Sequence, residues 1–266
     1  MLALMAKLQD LFTQARRAQS GGGLGFLGKN RGEAKPHAAA LVVAFSQIKG
    51  GDAEAALKAG ADGLLFTWDG KSTALLDSVK QEIEAAKTAN EQVITGLQIT
   101  GGWDNLTRES LAQIKEQGIR YIVLPFNSPV RLLALEEKDL EKVVTVPVRK
   151  DDLYPVFIRN LSAFDGIAGV LLDFEITSTF ASLTIEESLQ YRAVREALRF
   201  PAFIRINADI DEAEAYTLLA LGTQAVILPA SPDREATRQQ VQSVREVLEK
   251  VHKEDTKDTP ALIRPQ

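Results

Sequence analysis

Two carboxylates, one residue apart, close the apolar run Gly169-Val-Leu-Leu-Asp-Phe-Glu175. On a β-strand, where side chains alternate with a period of two, Asp173 and Glu175 share a face with Leu171. One helical segment later, Ala202-Phe-Ile-Arg-Ile-Asn207 puts Arg205 and Asn207 on a common face in the same way. A carboxylate taken out of water needs a partner, so Asp173 or Glu175 beside Arg205 is the expected pairing. If Asp173 holds Arg205, Glu175 is the candidate general base, with Asp173 its catalytic neighbour, and Arg205 and Asn207 would orient a substrate. The cluster reads equally as an ion pair that fills the top layer of a core and does no chemistry.

Other polar residues stand at or just past the ends of apolar runs. Gln98, Asp69 and Asn127, with Ser46, Thr100 and Arg149, would complete a polar ring around a small ligand. No cofactor is expected; were a metal used, Asp69, Asp173 and Glu175 would be ligands suited to magnesium. The remaining catalytic vocabulary is narrow. The chain has no cysteine, which excludes disulfides, thiolate nucleophiles and thiolate metal sites. Its two histidines, His37 and His252, fall before the first strand and near the end of the last helix, where no Ser–His system or histidine metal site can be assembled. Lys49, Lys71 and Lys150 read as loop residues and not as desolvated Schiff-base amines.

The elements that must position these residues repeat along the chain. Apolar runs rich in branched residues occur at Ala40–Phe45, Gly63–Trp68, Val93–Ile99, Tyr121–Phe126, Val143–Val148, Gly169–Phe174, Ala202–Ile206 and Ala225–Leu228. Between them lie helical patterns, among them Ser72–Asn90, Pro129–Glu141, Leu153–Ala163, Thr184–Phe200 and Asp209–Leu221. Helix starts are marked by Thr184 with Glu187 and by Asp209 with Glu212, which read as capping boxes, and by Ser128-Pro129 and Ser231-Pro232. Near-continuous apolar strands, each followed by a helix, predict a parallel sheet covered by helices. Eight units in one chain fit a closed (β/α)8 barrel, whose strand ends converge on one mouth.

The joints Ala59-Gly-Ala-Asp-Gly-Leu and Leu221-Gly-Thr-Gln-Ala-Val resemble those of the ribulose-phosphate-binding barrels, the superfamily of the tryptophan- and histidine-pathway barrel enzymes. That resemblance implies a fold, and a phosphate site in glycine-rich loops after the seventh and eighth strands. Here those loops are Asn207-Ala-Asp-Ile-Asp-Glu212 and Ala230-Ser-Pro-Asp-Arg234, without glycine and with Asp209, Asp211, Glu212 and Asp233 where an anion would sit. A phosphate in the usual place is not expected.

Residues 1–37 read as an amphipathic helix, carrying Leu4, Leu8, Leu11, Phe12 and Ala15 on one face, followed by a glycine-rich connector. Gly23, Gly25 and Gly28 match the spacing of a dinucleotide loop but lack the strand before and the helix after that such a loop needs; amides near Lys29 and Arg31 offer a weaker anion site. Residues 38–254 are assigned to the barrel and 255–266 to a flexible tail. With 45% apolar and 25% charged residues, the chain of 266 can bury one large core. Its 36 acidic against 31 basic residues give a net charge of -5, which argues against nucleic acid and anionic membranes as partners. A cytoplasmic protein with a small-molecule ligand is expected. Its function is read as a lyase or isomerase on a small polar metabolite, or else as a non-catalytic binding or scaffold barrel.

Overall fold

The computed structural model describes residues 7–19, 38–149, 153–174 and 179–258. Eight parallel strands close on themselves in chain order: β1 (Ala40–Phe45), β2 (Gly63–Trp68), β3 (Ile94–Ile99), β4 (Tyr121–Leu124), β5 (Glu141–Pro147), β6 (Ile167–Asp173), β7 (Ala202–Arg205) and β8 (Ala225–Pro229). Each is followed by a helix: α2 (Asp52–Lys58), α3 (Thr73–Lys87), α4 (Arg108–Glu116), α5 (Arg131–Ala134), α6 (Tyr154–Ile158), α7 (Ile185–Leu198), α8 (Glu212–Ala220) and α9 (Arg234–Asp258). A further helix, α1 (Leu8–Gln19), precedes β1. The molecule is a (β/α)8 barrel with an extra N-terminal helix.

The strands read as continuous apolar runs because both faces are buried. One parity, including Leu41, Leu64, Leu172, Ile204 and Val226, packs under the helices. The other, including Val42, Leu65, Val123, Val143, Leu171, Phe203 and Ile227, fills the lumen. The amphipathic face of α1 joins this inner set: Leu8, Leu11 and Phe12 are buried against it, and the Phe12 ring lies 4.9 Å from Phe203. Glu141, at the start of β5, accepts a hydrogen bond from the Leu8 amide at 2.8 Å and so caps the first turn of α1. Helix α1 therefore closes the end of the barrel where the strands begin and leaves the opposite end as the mouth.

Tyr121 occupies the middle of the lumen, stacked on Phe203 at 5.9 Å. Its ring lies over Gly96, where a Cβ would collide with it, so a strand glycine here makes room for an aromatic. Burial pushes the Tyr121 hydroxyl pKa up, and that hydroxyl has no hydrogen-bond partner among the described residues.

Three sequence expectations are corrected. The helix expected over Pro129–Glu141 shrinks to Arg131–Ala134. Glu136, Glu137, Lys138 and Asp139 offer no apolar face to bury, and Asp139 adopts a positive φ of 64° before β5 begins. The capping box expected at Asp209 and Glu212 forms two residues later, between Asp211 and Glu214. Ile210 is buried, and keeping it ahead of the cap lets it pack onto the core. The helix over Leu153–Ala163 is α only to Ile158 and continues as a 3-10 turn over Arg159–Ala163. The Thr184–Glu187 box forms as expected.

Candidate functional site at the barrel mouth

The inner parity carries Leu171 to Asp173 on β6, Phe203 to Arg205 on β7 and Gly96 to Gln98 on β3, so these three polar side chains top the lumen. Thr67 on β2 and Thr145 on β5 follow from Leu65 and Val143 in the same register. Sequence reading passed over both threonines, although the period of two that found Asp173 would have found them.

Arg205 donates a hydrogen bond from Nη2 to Gln98 Oε1 at 2.7 Å. In a closed ring of eight, β7 and β3 stand opposite one another, so this bond crosses the mouth. Of the two carboxylates expected beside Arg205, Asp173 is near enough for its charge to act on the guanidinium, and Glu175 is not among the described residues. The hydrogen bond goes to a neutral amide, while the Asp173 carboxylate acts on Arg205 through its charge. Arg205 is open to solvent along part of its length, yet the protein around its guanidinium lowers its pKa by desolvation, an effect that Asp173 opposes. Asp173 itself is half-buried. Glu175, the expected general base, lies outside the described residues, as do His37, Lys150 and the glycines at 23, 25 and 28.

The rest of the expected ring is less convergent. Asp69 Oδ1 accepts from the amides of Lys71 and Ser72, each at 2.9 Å, and these bonds hold its carboxyl pKa below the usual range. Asp69 is thereby committed to shaping its own loop. Asn127 and Asn207 are exposed on the loops after β4 and β7. Thr100 is tied to the Trp68 carbonyl through both its amide and its hydroxyl. Arg149 lies over the Tyr154 ring, 5.7 Å from its centroid. Among the described residues no group of three His, Cys, Asp or Glu side chains could hold a metal ion.

Two features of the mouth were not read from the sequence. The loops after β2 and β3 interlock at Gly70 and Gly102, which take φ of 75° and 64° and pass so close that a Cβ on either would strike the backbone of the other. Asn105 Nδ2 donates to the Gly70 carbonyl at 3.1 Å and pins the crossing. At the rim between the loops of β1 and β8 lies a recess of about 60 Å³, lined by Ser46, Gln47, Lys49, Asp52 and the Ala230–Pro232 turn.

The helix starts after β7 and β8 are occupied by protein carboxylates. Asp211 Oδ1 accepts from the Glu214 amide at 2.8 Å, and Asp233 Oδ2 from the Ala236 amide at 2.7 Å. These are the amides that an anion at a helix start would use.

No protein-family model matches the sequence, and no curated protein matches it. Solved structures do match. Tryptophan synthase from M. tuberculosis superposes with a TM-score of 0.59 at 13% identity, covering 92% of this chain and 99% of that one. Native KDPGal gives 0.55 at 15% identity over 82% and 96% of the two chains, and a mutant tryptophan synthase alpha-subunit from Pyrococcus furiosus gives 0.54 at 14% over 79% and 97%. The likeness is one of fold. What the chain shares with these structures is the (β/α)8 barrel itself.

Proposed function

We propose that the mouth binds a small polar metabolite bearing a carboxylate or similar oxyanion, and that the site performs lyase or isomerase chemistry on it. The observation that carries this reading is Arg205 reaching across the lumen to the neutral amide of Gln98. A guanidinium has five N–H donors, and the bond to Gln98 uses one. A planar fork in a partly desolvated, concave mouth is suited to bidentate recognition of an oxyanion. Gln98, whose Oε1 faces Arg205, keeps its amide N–H groups for a ligand oxygen, and Asn207 and Asn127 stand on loops from which they would close over it.

The chemistry follows from charge. Glu175, two positions after Asp173 in the sequence, is the base in this reading and would take a proton from a carbon beside a carbonyl. The negative charge that develops on the carbonyl oxygen would be stabilised by Arg205 and Gln98. Isomerisation passes through this step; in C–C cleavage the base would instead take the proton of a β-hydroxyl, the C–C bonding pair would pass into the enolate, and the same carbonyl oxygen would be stabilised. That similar barrels include proteins named tryptophan synthase supports an enzyme on this scaffold, with the site argued here from this chain's own residues.

A second reading, a non-catalytic binding or scaffold barrel, is favoured by the commitment of Asp69, Asp211 and Asp233 to backbone amides, which removes carboxylates from the mouth. A thermal-shift screen with matched carboxylate, phosphate and neutral metabolites separates the two, because specific ligands stabilise with occupancy. Carboxylates should stabilise the wild type and not Arg205→Met, and turnover of a hit should vanish in Glu175→Gln while binding persists. A binder that is never turned over would support the second reading.

A further inference from the structure

Nine large apolar side chains of the described residues are substantially exposed, and six of them lie on α6, on the neighbouring α7, or just before α6 and just after the 3-10 turn that follows it. These are Leu153, Val156, Phe157, Phe164, Ile185 and Leu189, exposed by between 41% and 83%. Their positions follow from helix geometry. On α7 the buried face is Tyr191, Val194 and Leu198, and Ile185 with Leu189, four apart, falls on the opposite side. On α6 Tyr154 and Ile158 are buried, which turns Val156 and Phe157 outward. A solvated outer helix face is expected to be polar, as α9 is with Glu235, Arg238 and Gln239.

We propose that this face is the interface of a homodimer, with α6 and α7 of one copy packed on α6 and α7 of a second about a twofold axis. Exposed to this degree, six large side chains present several hundred Å² of apolar surface, the scale at which a surface patch marks an interface. It is on the order of the ~800 Å² that each partner buries in a stable complex. A twofold contact needs a single self-complementary patch, whereas a head-to-tail contact needs two different ones. The other exposed apolar residues, Phe126, Val130 and Tyr216, are dispersed over the loop after β4, the start of α5 and α8, so the described surface supplies one large patch and no second to match it. Glu186 and Arg192 flank the patch on α7 with charges of both signs, forming the polar rim of such an interface. The contact lies on the barrel wall and goes beyond the mouth chemistry proposed above.

Sedimentation of the full chain across a micromolar concentration series tests this. Wild type should sediment at twice the mass of one chain. Phe157→Glu and Leu189→Glu should sediment as monomers, while Val130→Glu and Tyr216→Glu, equally exposed but off the patch, should remain dimeric. Because the chain has no cysteine, single Leu189→Cys and Tyr216→Cys variants can each carry one spin label. Dipolar broadening between copies is expected at 189 and not at 216. A wild type that is monomeric at every concentration overturns the proposal; an immobilised label at 189 in that monomer would mean that the chain itself covers the patch, and a mobile one would leave the face to a different protein. A dimer that survives both Phe157→Glu and Leu189→Glu overturns it as well.

Discussion

Arg205 of β7 and Gln98 of β3 are joined at 2.7 Å by a hydrogen bond that spans the mouth between opposite strands. A ligand oxyanion that engages Arg205 competes with this bond or shares the guanidinium with it. The first prediction follows from the exposure of Arg205 and its neutral partner. Gln98→Leu should cost little stability, about 1 kcal/mol or less by chemical denaturation, because the bond it removes is open to solvent. Asp173→Ala should also be mild. A buried Asp173–Arg205 pair would instead make it cost on the order of 3 kcal/mol, the value that the sequence alone suggested. A large loss for Asp173→Ala would restore that reading.

Tyr121 is buried with an unpartnered hydroxyl, so Tyr121→Phe should raise stability, by up to about 1 kcal/mol, by removing a desolvated polar group while keeping the stack on Phe203. Gly96→Ala should destabilise by overpacking against the same ring. Combining Gly96→Ala with Tyr121→Leu should cost less than the two single changes added together, since each relieves the other.

The plug at the closed end makes a stronger demand. Phe12→Ala should cost ~3–5 kcal/mol, as for other buried phenylalanines, because its ring fills the base of the lumen beside Phe203. Melting of this variant beside Tyr216→Ala, on the surface, gives the comparison. Equal effects would mean that α1 is an ornament of the barrel and not part of its core.

Lys142 gives a pH prediction. It is 3% exposed and donates to the Leu133 carbonyl at 2.8 Å; desolvation lowers its pKa, and the Glu136 charge opposes that shift. With its pKa depressed, Lys142 binds fewer protons in the folded than in the unfolded chain at pH values between the two pKa values. Stability contributed through this residue therefore rises with pH across that window and levels off above the ordinary lysine value, ~10.4. At lower pH both states are protonated and the penalty of burying the charge is constant. Lys142→Met should flatten this alkaline rise in the difference between wild-type and variant denaturation curves; identical curves would show that the buried amine does not titrate with folding.

The barrel was legible because its signals are local. Each strand is an apolar run whose two parities are both buried, and several joints carry a glycine or a cap, so composition and period agree without knowledge of contacts. Placing Asp173, Arg205 and Gln98 at the lumen top follows from the same period of two. The partner of Arg205 was not legible, since β3 and β7 meet only through closure of the ring and sequence order says nothing about which polar side chain can reach across it. Asp69 looked like a mouth residue, but its short side chain satisfies nearby amides first. The role of α1 was half visible: amphipathicity required packing, while Glu141 as its cap and the lumen as its socket depend on contacts more than a hundred residues apart. Helix α5 was overextended because leucines at helical spacing hid the charged stretch that ends it.

The most direct test is calorimetric titration of the best carboxylate from the screen into wild type, Arg205→Met and the surface control Arg238→Met. If the mouth is the site and Arg205 its anchor, affinity should fall by about a hundredfold or more in Arg205→Met, the scale of losing a charge-assisted bidentate contact at ~1.4 kcal/mol per tenfold, and stay unchanged in Arg238→Met. Equal affinity in wild type and Arg205→Met would contradict the account and move the ligand away from the mouth.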